Sequence, residues 1–152
     1  MAQLDILVVD DEINIRKTLS VFVESRGHRV TAVSNSRDAV READLRVFDI
    51  AFIDLRLGAE NGLDLVHSLL SVCPRIKIVV ITAYASIDTA VEAMKRGAAD
   101  YLAKPFTPGQ LELVTERLAG LCDMENRIAT LQEDLNRIHP EAYLSSRYSS
   151  MQ

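Results

Sequence analysis

Short apolar runs alternate with amphipathic stretches along this chain. The first, third and fourth runs are rich in β-branched residues, which is typical of strands covered on both faces of a sheet. The runs predict strands over residues 4–10, 28–33, 49–54, 76–82 and 100–104. Apolar residues at helical spacing predict helices over residues 14–26, 36–45, 63–72 and 87–96. This alternation predicts an α/β fold with a doubly wound parallel sheet, because right-handed crossovers place helices on both faces.

Residues that favour helix ends mark the limits of these helices. Ser86 lies where the fourth helix should begin and can act as its N-cap. Gly27 and Gly97 follow the first and fourth helices, and glycine commonly ends a helix because it adopts a left-handed conformation without steric cost. The boundary residues therefore agree with the apolar pattern.

A fifth helix has a clear start signal and is longer than the others. Thr107 is its predicted N-cap, Pro108 occupies the first helical position, and Gln110 completes a capping box. The helix is predicted over residues 108–138 and should end before Pro140. Its periodic apolar residues are Leu111, Val114, Leu118, Leu121, Met124, Ile128, Leu131, Leu135 and Ile138.

The spacing of these apolar residues is that of a heptad repeat. Steps of three and four residues alternate, except at Met124, where a three-residue step replaces a four-residue step. A periodic helix much longer than about 25 residues is typical of a coiled coil. We predict that residues 108–120 pack on the sheet and that residues 121–138 form a dimeric coiled coil. An amphipathic helix extending from a monomer is the alternative.

Composition indicates one domain with an appendage. The chain has 152 residues and a net charge of −5, which argues against a nucleic-acid-binding surface spread over it. Cys73 and Cys122 form no motif and fit a reducing compartment. The N-terminus lacks the basic segment of a signal peptide, and no apolar stretch is long enough to cross a bilayer. We therefore expect a cytoplasmic protein that does not associate with membranes.

Polar side chains stand at the ends of four predicted strands. They are Asp10 and Asp11 after the first strand, Asp54 after the third, Thr82 after the fourth and Lys104 after the fifth. Sites in open parallel sheets form at the carboxyl ends of strands, so these residues should meet. Three close carboxylates repel each other unless a cation joins them, and oxygen ligands suit Mg²⁺. One carboxylate could then attack a phosphoryl group whose oxygens contact the lysine and the hydroxyl.

Each of these residues has a simpler explanation when it is considered alone. Asp10 and Asp11 could cap the helix that follows them. Asp54 could be a turn residue, Thr82 an ordinary strand-end threonine, and Lys104 a solvated loop lysine. Their occurrence together, on alternate elements of one α/β pattern, favours a shared site.

Three motifs carry a resemblance to a known family. In chain order they are LVVDDE, AFIDLRLGAENGLDL and VVITAYASIDTAVEAMKRGAADYLAKPF. Over about residues 3–121, the chain resembles the receiver domain of bacterial two-component response regulators. The resemblance implies a CheY-like, flavodoxin-like sheet of five parallel strands in the order 2-1-3-4-5.

The resemblance also implies roles for the clustered residues. Asp54 would be the phosphoacceptor, with a sensor histidine kinase as the donor. Asp11, Asp54 and the backbone carbonyl of Arg56 would bind Mg²⁺, and Asp10 would act through a metal-bound water. Lys104 would pair with the phosphoryl oxygens.

Two further residues would carry the signal in this family. Thr82 would move to bond the phosphoryl group, and Tyr101 matches the aromatic residue that swings inward with it. The peptide bond between Lys104 and Pro105 is usually cis in the family.

One loop departs from the family pattern. Gly58 stands where the family often has proline, whereas Gly62 keeps the place of the family glycine. We expect an altered loop with its chemistry retained. Arg56 and Tyr84 occupy positions that tune phosphoryl lifetime in the family.

The tail resembles the linker of the NtrC and DctD class of sigma-54-dependent activators, including AlgB-like members. The resemblance divides the chain into a receiver (1–121), a coiled-coil linker (122–139) and the start of an AAA+ output domain (140–152). Sigma-54 RNA polymerase and DNA would be contacted only through domains absent from this chain, and the homodimer through residues 108–138. No G-x-x-x-x-G-K-[ST] phosphate loop occurs, so we do not expect this part to be an enzyme.

Three other functions compete with this interpretation. An aspartate-dependent phosphatase on a similar sheet would carry a second aspartate two residues after the nucleophile, where this chain has Arg56. A stand-alone receiver would have no evident need for the long helix. A structural coiled-coil module with a degenerate receiver is disfavoured by the complete set of clustered residues.

Overall fold

The computed structural model describes residues 3–83 and 86–138. Its strands are β1 Asp5–Val9, β2 Arg29–Val33, β3 Ile50–Asp54, β4 Arg56–Leu57, β5 Glu60–Asn61, β6 Lys77–Thr82 and β7 Asp100–Ala103. Its helices are α1 Ile13–Ser25, α2 Ser36–Leu45, α3 Gly62–Val72, α4 Ile87–Lys95 and α5 Pro108–Ile138. Every predicted element is confirmed, and the ends that lie within the described residues differ from the prediction by at most one residue.

The main sheet has five parallel strands in the order β2-β1-β3-β6-β7. Counted without the short strands β4 and β5, this is the predicted order 2-1-3-4-5. The central strand β3 pairs with β1 on one side and with β6 on the other. The predicted doubly wound α/β fold is therefore confirmed.

Burial explains why the central strands are continuous apolar runs. All residues of β3 are buried, and so are all but the first residues of β1 and β6. Because helices cover both faces of a doubly wound sheet, alternating polar positions would place unpaired polar groups in the core. The edge strand β2 has no fully buried residue. The most apolar segments thus form the centre of the sheet, which fixes the strand ends where the clustered residues lie.

The predicted helix ends are also confirmed. Gly27 and Gly97 have φ angles of 85° and 106°, which glycine adopts without strain. Ser86 Oγ accepts a hydrogen bond from Thr89 N at 3.1 Å, so Ser86 is the N-cap of α4. Gln110 N donates to Thr107 Oγ1 at 3.1 Å, and Thr107 N donates to Gln110 Oε1 at 2.9 Å. Local side-chain chemistry therefore determines where these helices begin and end.

A small hairpin after β3 was not predicted from the sequence. Strands β4 and β5 pair antiparallel around Gly58 and Ala59. Gly58 has a φ of 61°, and glycine at the first central position is typical of a type II′ turn. Proline cannot adopt a positive φ, so the departure from the family pattern at Gly58 has a structural reason. The expected altered loop is this hairpin.

The chain divides into two units, one extending to Leu118 and the other beginning at Ala119. In the first unit, Leu111 and Leu118 are buried. In the second unit, the heptad positions Leu121, Met124, Ile128, Leu131 and Leu135 are exposed. The predicted coiled coil therefore remains a prediction, with an apolar seam available for it. The predicted helix end before Pro140 and the tail 140–152 lie outside the described residues.

Two remaining expectations concern thiols and membranes. Cys73 and Cys122 are buried and are not joined in a disulfide. Among the described residues, no helix combines the length and apolarity that crossing a membrane requires.

His28 should make the stability of the fold depend on pH. Its Nδ1 accepts a hydrogen bond from Leu4 N at 3.1 Å, and the residue is buried. Burial lowers the pKa of His28 below its usual value of 6.5, although the charge of Asp49 opposes this. The unfolded chain therefore binds a proton more readily, so this contribution to stability is present above about pH 6.5 and is lost as pH falls below it.

We expect the wild type to lose more stability between pH 7.5 and pH 5.5 than His28→Asn, whose amide oxygen can still accept the Leu4 bond. The measurement is the free energy of unfolding in urea at both pH values. Parallel pH profiles for the two proteins would show that His28 does not contribute.

Candidate functional site

The clustered residues predicted from the sequence lie at the carboxyl edge of the sheet. Asp10 follows β1, Asp54 ends β3 and Thr82 ends β6. Lys104 follows β7, and its backbone N–H donates to the Thr82 carbonyl at 2.8 Å. Neighbouring parallel strands therefore bring together residues that are far apart in the sequence.

Lys104 is held between two carboxylates. Its Nζ lies 3.0 Å from Asp54 Oδ2 and 3.2 Å from Asp10 Oδ2. Burial opposes the charge of the ammonium group, but the hydrogen bond to Asp54 and the charges of both aspartates outweigh it, so the pKa of Lys104 is raised. Lys104 therefore keeps its proton and is not a solvated loop lysine.

Asp10 is held by one hydrogen bond to its carboxylate and another to its backbone carbonyl. Asp10 Oδ1 accepts a hydrogen bond from Glu12 N at 2.9 Å, and Arg16 Nη1 donates to the Asp10 carbonyl at 2.7 Å. Burial raises the pKa of Asp10, the bond from Glu12 lowers it, and the negative charge of Asp54 raises it again, with a net increase. The N-cap of α1 is Glu12, which makes no side-chain cap bond, so the simpler capping explanation for Asp10 does not hold.

Asp54 is also buried, and a backbone N–H two residues further along the chain orients its carboxylate. Its Oδ1 accepts a hydrogen bond from Arg56 N at 3.1 Å, two residues on. Gly62 packs directly against this turn, since a Cβ there would collide with the Asp54 carbonyl oxygen and lie 2.9 Å from Leu55 Cα. The family glycine is thus required by close backbone contact, which sequence spacing alone does not reveal.

Asp11 completes an oxygen-rich cluster. Its Oδ2 accepts a hydrogen bond from Gly58 N at 2.9 Å, so the hairpin fixes this exposed carboxylate. One oxygen from each of Asp10, Asp11 and Asp54 lies within 4.8 Å of the others. These hard oxygen donors fit Mg²⁺. The cluster opens into a cleft of about 280 Å³ that is also lined by Arg56 and Lys104.

Thr82 and Tyr101 lie on the neighbouring strands β6 and β7. Thr82 is fully buried, and Tyr101 is half-buried. The Tyr101 hydroxyl lies 3.0 Å from Thr89 Oγ1, in the first turn of α4. The Lys104–Pro105 peptide bond is cis, as the resemblance implied. Tyr84 lies outside the described residues.

Sequence reasoning did not find three of these contacts. Arg16, Gly58 and Thr89 each touch a predicted site residue through bonds that only the folded chain creates. Gly58 did give a sequence signal for an unusual loop, because it stands where the family often has proline. Arg16 and Thr89 had no distinguishing pattern in the sequence.

Asp10 should destabilise the metal-free protein at neutral pH. Because its folded-state pKa is raised above the usual 3.8, the stability linked to its proton is present at low pH and is lost as pH rises through the folded-state value. We expect Asp10→Asn to raise the free energy of unfolding by about 1 kcal/mol at pH 7 with chelator present, because asparagine removes a charge that repels Asp54. The measurement is urea denaturation.

Asp44→Asn removes an exposed aspartate from α2 and is the matched control, which should change stability little. If Asp10→Asn destabilises the chelated protein instead, the repulsion assigned to Asp10 does not dominate.

The family model of the response regulator receiver domain matches residues 6–116. The transcriptional regulatory protein AlgB of Pseudomonas syringae, named for alginate biosynthesis, is 37% identical over 146 residues, covering 96% of this chain and 32% of that protein. ZraR of Klebsiella oxytoca is 39% identical, covering 77% of this chain and 27% of that protein. The chain thus spans about a third of the length of these relatives.

Solved structures show the same similarity. NtrX from Brucella abortus superposes with a TM-score of 0.79 at 31% identity, covering 86% of this chain and 30% of that one. A response regulator from Burkholderia pseudomallei, crystallised with a phosphorylated aspartic acid, has a TM-score of 0.72 at 32% identity and covers 92% of this chain and 86% of that one. The chain belongs to the response regulator receiver family and is related to sigma-54-dependent activators.

Proposed function

We propose that Asp54 accepts a phosphoryl group from a sensor histidine kinase. The observation that carries this proposal is the position of Lys104 Nζ, 3.0 Å from Asp54 Oδ2 and 3.2 Å from Asp10 Oδ2. An ammonium group in this position can contact the oxygens of a phosphoryl group on Asp54. Phosphorylation by histidine kinases is the general mechanism of this family. A kinase partner of this kind agrees with a cytoplasmic location.

The transfer forms one bond and breaks another. A carboxylate oxygen of Asp54 bonds to phosphorus, while the bond from phosphorus to the donor's imidazole nitrogen breaks and its electron pair stays on that nitrogen. Lys104 keeps its proton and exchanges its contact with Asp54 for the phosphoryl oxygens. The product is an acyl phosphate on Asp54, in the cleft that the ammonium group of Lys104 also lines.

Residues around Asp54 also fit a divalent cation. Asp11, Asp54 and the Arg56 carbonyl would hold Mg²⁺, with Asp10 acting through a bound water, and the ion would neutralise charge on the phosphoryl oxygens. The hydrogen bond from Gly58 N leaves the second oxygen of Asp11 for this purpose. Three carboxylates within 4.8 Å support the assignment, because their repulsion favours cation binding.

The phosphoryl group would be detected by Thr82 and Tyr101. The Thr82 hydroxyl is a donor at the end of β6, beside the β3 end where the phosphoryl group would be attached. Movement of Thr82 toward the phosphoryl oxygens would draw Tyr101 inward and bias the surface around β7 and α4 between two states.

This chemistry would be self-modification without turnover of outside substrates. An aspartate-dependent phosphatase usually carries a second aspartate, as general acid, two residues after its nucleophile, and this chain has Arg56 at that position. The proposed reactions are phosphorylation and dephosphorylation of Asp54 itself.

The output of the switch would lie outside the receiver. Residues 1–121 would form the receiver, 122–139 a coiled-coil linker and 140–152 the start of an AAA+ output domain. A homodimer through 108–138 would change its arrangement on phosphorylation and so control contacts of the remaining domains with sigma-54 RNA polymerase and DNA. Kinship with AlgB and ZraR supports this class of output. A stand-alone receiver that acts through partner surfaces is the alternative.

Phosphorylation should require Asp54 and Mg²⁺. We expect intact mass to show one added phosphoryl group after incubation with acetyl phosphate and Mg²⁺, and none when a chelator replaces Mg²⁺. Asp54→Asn should remain unmodified, whereas the exposed-residue control Asp44→Asn should react like the wild type. A phosphoryl group on Asp54→Asn would place the acceptor elsewhere.

Dimerisation should depend on the apolar seam of α5. We expect the mass from light scattering to approach twice 16.9 kDa as the concentration of wild type rises. Leu131→Lys/Leu135→Lys should remain monomeric because it places charges in the seam. Thr130→Lys/Asn136→Lys adds the same charge off the seam and should still dimerise. A wild type that is monomeric at all concentrations would favour the stand-alone alternative.

A further inference from the structure

A hydrogen bond joins the proposed switch tyrosine to the cap of α4. The Tyr101 hydroxyl lies 3.0 Å from the hydroxyl of Thr89, and both residues are half-buried. Thr89 is the third residue of α4 and shares a capping box with the N-cap residue Ser86. The tyrosine ring is therefore tied to the helix that follows the strand ending in Thr82.

The Thr89 hydroxyl has side-chain and main-chain partners: Tyr101 OH and Ser86 Oγ each lie 3.0 Å from its oxygen, and the Ser86 main chain offers two more contacts. The Thr89 hydroxyl accepts a bond from Ser86 N at 3.1 Å and can donate to the Ser86 carbonyl at 3.1 Å. A hydroxyl group has one donor and two acceptor lone pairs, so the remaining lone pair can accept from the Tyr101 hydroxyl. Tyr101 thus joins a local network whose other members fix the start of α4.

Thr89 is also close to the loop that follows the phosphoacceptor. With Arg56, Gly58 and other residues of the hairpin, it lines a groove of about 420 Å³. Arg56 and Gly58 also line the cleft above Asp54. Thr89 therefore contacts Tyr101 and also lines the groove beside the phosphoacceptor loop, so movement of either would affect it.

We infer that Thr89 is a positioning residue that holds Tyr101 in the resting conformation. The inference rests on the proposed function, in which Tyr101 moves inward when Asp54 is phosphorylated. That movement breaks the bond to Thr89, so the bond stabilises the resting state and lowers the population of the switched state. Without it, a ligand that selects the switched state binds more tightly, because its apparent affinity scales with the fraction of competent molecules.

The size of the effect follows from the net contribution of one hydrogen bond. Such a bond changes a two-state equilibrium by about fivefold. We expect Thr89→Val to lower the apparent Kd for beryllofluoride in the presence of Mg²⁺ by about fivefold. Thr89→Ser keeps the hydroxyl and should restore the affinity of the wild type.

The experiment is a beryllofluoride titration of the full chain at fixed Mg²⁺, followed by the ¹⁹F NMR signal of the bound ligand. Tyr101→Phe removes the other half of the bond without disturbing the capping box. In the Tyr101→Phe background, Thr89→Val should no longer change the Kd. An equal effect of Thr89→Val in both backgrounds would overturn the inference, because the effect would then not pass through Tyr101.

Ser86→Ala is the control for a weakened helix start. It removes the contacts of Ser86 Oγ with Thr89 N and Thr89 Oγ1 but keeps the bond between Thr89 and Tyr101, so its Kd should not fall below that of the wild type. If Ser86→Ala tightens binding as much as Thr89→Val, loosening of α4 explains the result and the inference fails.

The same titration separates this inference from the proposed function. Binding by the wild type that is lost in Asp54→Asn supports the receiver chemistry, whatever Thr89 does. Binding by the wild type with no change in Thr89→Val overturns the role of Thr89 alone. A wild type that does not bind beryllofluoride overturns both.

Discussion

Repulsion among three carboxylates is the constraint around which the carboxyl edge of this sheet is organised. Asp10 and Asp54 are both buried, and each shares the ammonium group of Lys104. Without a cation, burying two carboxylates this close together would be strongly unfavourable. The lysine makes the cluster possible in the metal-free protein, and the residual repulsion leaves the cluster prepared for further positive charge. At this edge of the sheet, the fold thus loses stability through the charge repulsion that the proposed chemistry requires.

Rigid and adaptable elements have different roles around the cluster. The central strands are buried along their length and place Asp54 and Thr82 at fixed positions. The hairpin that holds Asp11 is built on a glycine with a positive φ, and its strands have only two residues each. The proposed phosphoacceptor Asp54 needs a precise position, whereas the loop beside it must accommodate the incoming group. The distribution of burial agrees with both requirements.

Transmission of a signal from this edge requires an element with two arrangements. Tyr101 meets that requirement in the proposal, because its ring packs against the core and its hydroxyl bonds to Thr89 at the start of α4. A small free-energy difference between the two arrangements of Tyr101 is sufficient, since one hydrogen bond changes a two-state population severalfold. The exposed heptad positions of α5 give the proposed linker an apolar surface to rearrange. The same chain can therefore combine a stable fold with a weakly biased switch.

The sequence by itself determined the elements, the parallel fold and the group of residues at the strand ends. The spacing of apolar residues, the helix-capping residues and the polar residues at strand ends are local features. Each depends on interactions among residues that are close together in the sequence. The hairpin at Gly58 escaped prediction because two-residue strands carry no periodic signal. The bond of Thr89 to Tyr101 escaped it because the two residues belong to different elements, and the bond of Arg16 to the Asp10 carbonyl because it joins a helix side chain to the loop before that helix. Only the tertiary structure decided these contacts, since they depend on distances set by packing of the whole sheet and its helices.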